Sequence, residues 1–348
     1  PTRRSSDLVL TSYAGYSTDG SILKQSSSGG LFGSFAKYLF NSNTNVKVFA
    51  VKNDLGKVVY EICTDYRDLE QFYKSKYCQA FLNKAFYERL ISAISNEAVC
   101  LIIGTPCVLS GIKNTLLAQK AKLTSCIFVD LVCHGVMSQS VYHTHLEECK
   151  KRWGGVVTQH YFRYKRAVTK DCPEGSHWNL YKVNNEIIIK KSDDDYYMQT
   201  YFADLAMRET CYCCQFTGTN RIGDITIGDF NNAHMLCSQF DGLRSVSLVL
   251  VNTDKGQRFI DECNNNTVNL QPVDIKLLQK FNTPLTAPIK RPFQRSLFYT
   301  FYNSLGLSRT VSLLNYKYYL RKIIVAFGGK KLLLKIKALL GRSYIDIE

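Results

Sequence analysis

Short apolar segments alternate with amphipathic ones along the first 153 residues, and this alternation is the strongest constraint on the fold. Leu31, Phe35 and Leu39 recur every four residues and predict a helix, and further helices are predicted at Lys84–Ser95 and from Ser138 to Trp153. The segments predicted to form strands are Leu8–Tyr13, Val46–Val51, Val58–Cys63, Ala98–Ile103 and Cys126–Val132. This succession favours an α/β lobe with a largely parallel sheet.

Beyond Gly154 the pattern changes to strands that can pair locally. His177–Val183 and Glu186–Lys190 predict a hairpin that turns at Asn184-Asn185, and Asp193–Met207 predicts a helix with acidic residues in its first turn. Further strands are predicted at Val156–Tyr164, Asp224–Ile227 and Ser245–Val251, with a short helix at Lys255–Asn264. The second part of the chain is therefore predicted to be an α+β lobe with a mixed sheet.

The charge of the chain is concentrated near its C-terminus. The sequence holds 44 Lys+Arg and 29 Asp+Glu, a net charge of +15, which suggests an acidic partner such as nucleic acid or a membrane surface. Residues 276–345 contain 14 of the basic residues and no Asp or Glu, which leaves 30 basic and 29 acidic residues elsewhere. The segment KKLLLKIKALLGR suits either an anionic membrane surface or a helix packed on the body. No nucleic-acid-binding motif accompanies the charge, so no nucleic-acid partner is expected.

Thirteen cysteines are spread along the chain at irregular spacings. Their number is odd and no signal-peptide pattern lies near the start, so we expect thiols or metal ligands in a reducing, cytoplasmic compartment instead of a disulfide framework. Several of them fall within apolar periodic segments and are predicted to be buried apolar residues: Cys63, Cys100, Cys126 and Cys263.

Four other cysteines are candidate ligands. Cys107 and Cys133 each follow a predicted buried strand, and the carboxyl ends of such strands meet at one crevice of an α/β sheet. Cys211 and Cys214 have the two-residue gap that lets both sulfurs bind one metal centre. Together the four thiolates suit one iron–sulfur cluster or a structural zinc. A redox-active Cys-x-x-Cys pair is a third alternative, but no compact strand–motif–helix unit surrounds the motif, and Cys107 and Cys133 taken alone could also be buried apolar residues.

Three polar features could serve either a ligand or the fold alone. The turn Ser26–Gly30 precedes a helix and presents bare N–H groups to an anion such as a cofactor phosphate, although an ordinary capped helix would also explain it. His134 follows Cys133, but adjacent residues of an extended chain point to opposite sides, so no Cys–His pair is expected. Asp224 and Asp229 bracket DITIGD and suit either a ribose contact or turn capping.

Five motifs, in order along the chain, resemble the coenzyme F420 hydrogenase/dehydrogenase beta-subunit family. They are SSSGGLFGSFAKYL, SKYCQAF, GTPCVLSGIK, DLVCHGVMS, and RETCYCCQF with RIGDITIGDF, and the resemblance covers residues 25–253. It implies an N-terminal family domain at 8–105 and a C-terminal one at 106–275. The resemblance fades after about residue 269, and the composition of residues 276–348 predicts a basic, helical tail.

The resemblance implies a subunit that passes electrons between a [4Fe-4S] cluster, a flavin and a soluble substrate, such as coenzyme F420 or another deazaflavin-like compound. The cluster ligands would be Cys107, Cys133, Cys211 and Cys214. The flavin, FAD in preference to FMN, would lie against Ser27, Ser28, Gly29, Gly30, Lys76, Tyr77, Gln79 and Thr105. Because the cofactors carry this chemistry, no side chain is predicted to be a catalytic acid or base.

Two departures from the family pattern affect the expected partners. No ferredoxin-like cysteine cluster precedes the Ser26–Gly30 turn, so either a ferredoxin-like protein or another oxidoreductase subunit is expected to exchange the electrons, or an N-terminal module is missing. Asn231-Asn232 stand where Trp-Gly commonly follows DITIGDF. Relatives often accompany cell-surface polysaccharide genes, so the alternative function is a non-catalytic accessory protein, stabilised by zinc or a cluster, in that biosynthesis. The expected location is cytoplasmic, and peripheral on the inner membrane face if the tail binds lipid.

Overall fold

The computed structural model describes residues 9–54, 56–165, 177–230, 233, 240 and 245–315. The strands in this part are β1 (Thr11–Ser17), β2 (Val46–Asp54), β3 (Lys57–Cys63), β4 (Val99–Gly104), β5 (Cys126–Leu131), β6 (Val157–Tyr161), β7 (Trp178–Val183), β8 (Glu186–Lys191), β9 (Ile225–Asp229), β10 (Ser247–Val251) and β11 (Val268–Pro272). The α-helices are α1 (Gly20–Gln25), α2 (Leu31–Ser42), α3 (Lys84–Ser95), α4 (Pro106–Ala118), α5 (Gln139–Trp153), α6 (Tyr196–Phe202), α7 (Asp254–Cys263), α8 (Ile275–Phe281), α9 (Gln294–Leu305) and α10 (Leu307–Leu314). Short 3₁₀ helices lie at Tyr66–Phe72, Ser192–Asp194, Glu209–Cys211 and Thr283–Leu285.

Eight strands form one mixed sheet in the order β11-β1-β10-β9-β5-β4-β2-β3. The inner strands β2, β4, β5 and β9 are parallel, and β3, β10, β1 and β11 are antiparallel to their neighbours. Parallel neighbours require a crossover, which α4 provides between β4 and β5. Strands from residues 8–105 and from residues 106–275 share this sheet, and the predicted mixed α/β fold is confirmed.

Helices cover both faces of the large sheet. Leu101 of β4 packs in one core with α2, while its neighbour Ile102 packs in the opposite core with α3 and α4. Successive residues of a strand point to opposite faces, so a continuous apolar run is needed when both faces are covered. Phe35 of α2 is fully buried, and burying such a side chain stabilises the fold by about 2 kcal/mol.

A second layer contains the antiparallel sheet β6-β7-β8. The predicted hairpin at Asn184-Asn185 is confirmed, and Asn184 adopts the left-handed φ of 52° that such a turn requires. Tyr142 of α5, Phe162 and Tyr197 of α6 form the aromatic core of this layer. This aromatic core also contacts Tyr77, which follows β3 and the 3₁₀ helix Tyr66–Phe72 of the first layer. The ring of Tyr77 packs against that of Phe162 with centroids 6.0 Å apart.

Two predicted elements are present but with different bounds. The helix predicted over Asp193–Met207 is a 3₁₀ turn followed by the shorter α6, which ends at Phe202. It ends there because Asp204 has a φ of 55° and Met207 pairs with Met137 in a β-bridge, a contact that sequence periodicity does not reveal. The first strand begins at Thr11 and runs to Ser17, and so extends beyond the predicted Leu8–Tyr13.

The beginning of the predicted basic tail packs on the body as helices. Glu148 of α5 accepts hydrogen bonds from the first amides of α10, those of Leu307 (2.7 Å) and Ser308 (2.9 Å). Residues 316–348, which include KKLLLKIKALLGR, lie outside the described residues, so the membrane-surface contact stays a prediction. Among the described residues, no helix is both long enough and apolar enough to cross a membrane.

Candidate functional site

Five cysteines, among them the four predicted ligands, line one cavity of about 370 Å³ at the carboxyl ends of β4 and β5, hereafter the cysteine cavity. Cys107 lies in the first turn of α4, and Cys133 follows β5. Cys211 ends the 3₁₀ helix Glu209–Cys211, and Cys214 follows in the next turn. The structure thus brings together all four predicted ligands, from three separate segments of the chain.

These thiols are close enough to influence one another's ionisation. Burial, and then the negative charges of Cys107, Cys211 and Cys214, raise the pKa of Cys133 to about 12. Burial likewise raises the pKa of Cys211, with smaller contributions from Cys107 and Cys214. Thiolates that repel one another in this way require a neighbouring positive charge to ionise together, and a bound metal supplies one.

The spacing of the cysteines bears on which metal centre they suit. Among the described residues, no three His, Cys, Asp or Glu side chains are close enough to ligate a single metal ion. A structural zinc would need four ligand atoms within roughly 2.0–2.3 Å of one point. In a [4Fe-4S] cluster each thiolate binds a different iron, so the sulfurs lie around a larger volume. Four thiols around one cavity are a donor set that either kind of centre uses.

The loop that carries Cys211 is anchored by α9 and by the segment just before it. The Glu209 carboxylate accepts hydrogen bonds from Arg291 (2.8 Å) and Arg295 (2.9 Å). Arg295 is buried, donates a second hydrogen bond to the carbonyl of Leu205 (3.2 Å), and lies over the Tyr212 ring with its guanidinium carbon 5.2 Å from the centroid. These contacts set the position of the loop.

A second cavity of about 240 Å³ contains most of the residues predicted to contact a flavin, and we call it the flavin cavity after that prediction. Those that line it are Ser27, Ser28, Gly30, Lys76, Gln79 and Thr105. Its walls are otherwise mainly apolar and include Leu31, Ala50, Ile103, Leu131 and Ile227 from the large sheet and α2. An apolar cavity with a few polar groups at its edge is typical of a cofactor site.

Two of the predicted flavin residues have other contacts. The Gly29 amide donates to Ser247 Oγ (2.9 Å), and a Cβ on Gly29 would lie 2.6 Å from the Gly15 carbonyl oxygen. Its lack of a side chain therefore allows close packing of the turn on the sheet. The Tyr77 ring packs on Tyr201 with centroids 4.6 Å apart, away from the flavin cavity.

The N-terminus of α2 borders the flavin cavity without a capping side chain. Gly30 stands at the N-cap with a φ of 80°, and no side chain hydrogen-bonds to the first turn. A Cβ on Gly30 would also lie 3.0 Å from that of Ser17. The nearby serine hydroxyls bond elsewhere, because Ser27 Oγ accepts from the Ser75 amide (2.9 Å) and Ser26 Oγ donates to the Ile22 carbonyl (2.7 Å). The first amides of α2 and their positive dipole end are thus available to an anion.

The two cavities have a common wall at the start of α4. Thr105, Cys107 and Val108 line both, as do Val136 and Arg208. The Thr105 hydroxyl lies 3.5 Å from Cys107 Sγ. A cofactor in the flavin cavity would therefore adjoin a ligand of a cluster in the cysteine cavity.

Sequence reasoning missed two residues at this wall and loop. Arg208 lines both cavities, and the exposed Cys213 lines the cysteine cavity beside the predicted ligands. In the sequence, Arg208 lies three residues before Cys211, and Cys213 lies between Cys211 and Cys214. Nearness to the motif does not tell which side chains line a cavity and which point to solvent.

The remaining polar candidates have contacts within the fold. His134 Nε2 lies 2.7 Å from Asp204 Oδ1, in keeping with the expectation that His134 does not pair with Cys133. The Asp224 carboxylate accepts from the Phe128 amide (2.9 Å), which is a role in joining strands and not a ribose contact. Asp229 forms an ion pair with Arg163.

Comparison with known sequences identifies the family. Residues 12–86 match the family model for the N-terminal part of the coenzyme F420 hydrogenase/dehydrogenase beta subunit, and residues 98–276 match the model for the C-terminal part of that same subunit. The chain belongs to the coenzyme F420 hydrogenase/dehydrogenase beta-subunit family. All the predicted ligand and flavin residues lie within the two matches, whereas Arg291 and Arg295 lie beyond them.

The family assignment agrees with a solved structure. A chain of the F420-reducing [NiFe] hydrogenase complex from Methanosarcina barkeri superposes with a TM-score of 0.55, and the alignment covers 82% of this chain and 92% of that one. The two sequences are 14% identical, so this likeness shows a common fold. No curated protein matches the sequence.

Proposed function

We propose that this protein is an electron-transfer subunit of an oxidoreductase, with a [4Fe-4S] cluster in the cysteine cavity and a flavin, FAD in preference to FMN, in the flavin cavity. The observation that carries the proposal is the common wall of the two cavities at Thr105–Val108. When bound, a flavin accepts electrons in pairs and a cluster takes them singly. Membership in a family of hydrogenase and dehydrogenase beta subunits supports the oxidoreductase role.

In this proposal the chain's own residues bind and separate the two cofactors. Cys107, Cys133, Cys211 and Cys214 ligate the cluster. The apolar walls of the flavin cavity pack on the flavin ring and exclude water, and the uncapped N-terminus of α2 faces the polar part of the cofactor. Thr105 and Cys107, which line both cavities, keep the carriers close enough for electrons to pass.

The substrate and partners belong to the same proposal. A soluble deazaflavin-like compound, with coenzyme F420 as the first candidate, would exchange electrons with the flavin. A ferredoxin-like protein or another oxidoreductase subunit would exchange them with the cluster. The hydrogenase complex that contains the structural neighbour has several components, which supports a partner subunit of this type. A reducing, cytoplasmic location suits the free thiols of the described residues.

Anaerobic purification tests the cofactor content. We expect a brown protein with about four irons and about four acid-labile sulfides per chain, and with a flavin released on denaturation. A colourless protein with one zinc would contradict the proposal and favour the accessory role in surface polysaccharide biosynthesis.

Serine variants test the ligand set. Cys107→Ser and Cys214→Ser are expected to lose the cluster, as measured by iron and sulfide content. Cys213→Ser is a matched control, because Cys213 lies in the same loop and lines the same cavity but is not a proposed ligand. Cys63→Ser is a second control, in the core of the large sheet. Equal cluster loss in all four variants would refute the assignment.

A further inference from the structure

The segment that closes the cysteine cavity contains basic side chains and no acidic ones. Pro284, Ala287, Pro288 and Ile289 line the cavity, and α9 begins a few residues after them. Residues 276–315 include six Lys or Arg and no Asp or Glu. Part of the excess positive charge of the chain therefore lies in the segment beside the thiols that would ligate the cluster.

Four exposed side chains of this segment lie at the start of α9; we call them the α9 surface, and they are those of Lys290, Arg291, Phe293 and Leu297. Lys290 and Arg291 follow the cavity-lining Ile289 directly. Phe293 is 86% exposed, more than any other large apolar side chain of the described residues, and Leu297, one helical turn later, is 46% exposed. Phe and Leu are usually buried, so two of them side by side at the surface indicate a place that another molecule covers.

The other side of α9 is fixed to the loop that carries Cys211. The buried Arg295 and the half-exposed Arg291 each donate to one oxygen of the Glu209 carboxylate, as described above. One carboxylate thus faces two guanidinium groups, and the contact leaves net positive charge. Because these bonds join α9 to the loop, the α9 surface has a fixed position relative to the proposed cluster ligands.

The cysteine cavity is open to solvent beside this surface. Cys107 and Cys213 line the cavity and are exposed. Arg208 is a third exposed lining residue, and it precedes Glu209, the residue to which α9 is bonded. A cluster held in this cavity would lie near the protein surface, within reach of a protein that docks there, and it would have basic side chains beside it.

We propose that the α9 surface binds an acidic electron-carrier protein of the ferredoxin type beside the cysteine cavity. An aromatic side chain next to basic ones is typical of the centre of an interface, and electron carriers bind through small, transient interfaces that complementary charge steers. One electron passes from the reduced carrier to the cluster, so the carrier is oxidised by one electron, the cluster is reduced by one, and no bond forms or breaks. This inference rests on the proposed function and names the surface that its partner uses.

Binding of an acidic bacterial ferredoxin tests the inference. The oxidised ferredoxin is titrated into the anaerobically purified protein, and calorimetry gives the Kd at several salt concentrations. Affinity should fall about tenfold as NaCl rises from about 0.05 to about 0.5 M, because salt screens the attraction between exposed charges. Lys290→Glu should weaken binding about tenfold at low salt and have little effect at high salt. Phe293→Ser should weaken it about tenfold at every salt concentration, because an apolar contact is not screened.

Two controls separate the surface from the total charge of the chain and from its folding. Lys182→Glu makes the same change of charge on an exposed residue of the small sheet, so it should bind ferredoxin as the unchanged protein does. Unchanged iron and flavin content shows in each variant that both cavities are folded. Equal loss of affinity in Lys182→Glu and Lys290→Glu, or binding that does not depend on salt, would overturn the inference.

A second measurement separates this inference from the proposed function. Visible absorption of the cluster is followed after mixing with reduced ferredoxin or, in parallel, with dithionite, a small reductant that needs no docking surface. If dithionite reduces the cluster but ferredoxin does not bind, the cluster stands and the inference fails. If the protein holds no cluster but binds ferredoxin in a Lys290-dependent way, the docking surface stands and the cluster part of the proposed function fails. Lys290-dependent binding to phosphatidylglycerol vesicles, without binding of ferredoxin, would identify a membrane contact and overturn the inference.

Discussion

The flavin cavity and the cysteine cavity share a wall but are built from different parts of the chain. The flavin cavity is formed largely by strands and helices of the large sheet, and Leu31 and Ile227 belong both to its wall and to the main core. The cysteine cavity is closed by loops and by Pro284–Ile289, beyond the part that matches the family models. The first cavity is therefore fixed by the folding of the core, whereas the second depends on a few anchoring contacts.

The two cavities also differ in charge. The flavin cavity has lysines in its wall, and the cysteine cavity has thiols that would become anionic ligands of the proposed cluster. A change that removes a ligand or an anchor should affect one cofactor and leave the other in place. The following predictions test that independence.

The largest expected effect is that of Cys133→Ser. This change removes a proposed ligand that is buried near the other three thiols, so iron and sulfide should fall to background. Flavin content should not change, because Cys133 does not line the flavin cavity. The control is Cys126→Ala in the preceding strand, which should retain both cofactors. Joint loss of flavin and iron in Cys133→Ser would mean that the cavities are not independent.

A smaller effect is expected for Arg295→Ala. The loop of Cys211 would lose its bonds from Arg295 to Glu209 and Leu205, so a chelator should remove iron about tenfold faster, while flavin affinity is unchanged. Iron release is followed by the loss of visible absorption. Arg309→Ala, which removes an exposed arginine from α10, is the matched control. Equal rates in the two variants would contradict the anchoring role.

A change at Gly30 should affect the flavin alone. Gly30→Ala places a Cβ on a residue with a φ of 80°, which costs about 1–2 kcal/mol and displaces the N-terminus of α2. We expect lower unfolding free energy in urea and flavin affinity reduced several-fold, with full iron content. Gly20→Ala is the control, because a Cβ at Gly20 would meet no atom within 4 Å. Loss of the cluster in Gly30→Ala would contradict the independence of the two cavities.

The smallest predicted effect is a pH dependence of flavin affinity. Binding of the FAD phosphates would favour the protonated form of Lys76, which lines the flavin cavity, and of Lys165, which lies beside the turn that precedes α2. Burial lowers their pKa values in the free protein to about 7 for Lys76 and about 8 for Lys165. The groups facing them are Lys74 and Arg163, which lower these pKa values, and Asp229, which raises that of Lys165. Affinity for FAD should therefore be full below pH 7 and fall several-fold as the pH rises through 8, with riboflavin as the control. A flat profile for FAD would show that these lysines do not bind its phosphates.

Local patterns predicted the regular elements well where a segment contained its own signals. The helix at Lys84–Ser95 has the predicted bounds, and the Asn83 side chain caps its first turn by accepting from the Phe86 amide (2.8 Å). The helix predicted to end at Met207 was wrong because its end is set by a distant β-bridge to Met137. The residue that caps the start of a helix is next to it in the sequence. The end of α6, in contrast, depended on a contact with a residue far away in the sequence.

Local patterns were limited in the same way in predicting the residues of the candidate site. The Cys-x-x-Cys spacing and the positions after strands indicated metal ligation, and the resemblance selected four of the thirteen cysteines. Motif membership alone also included Gly29 and Tyr77, which do not line the flavin cavity. Adjacent residues of a motif point in different directions, so a motif predicts the place of a site better than its lining.

The sequence by itself determined the α/β elements, the family and the residue types of a thiolate centre, because each depends on local spacing or on short motifs. Tertiary structure decided which of these residues meet. Cys107, Cys133 and Cys211 line one cavity because β4 and β5 are adjacent in the sheet and the Glu209 loop is anchored beside them. Lys165 reaches the Ser28 carbonyl across 137 positions of sequence. Such contacts depend on how the layers pack, which no local pattern in the chain specifies.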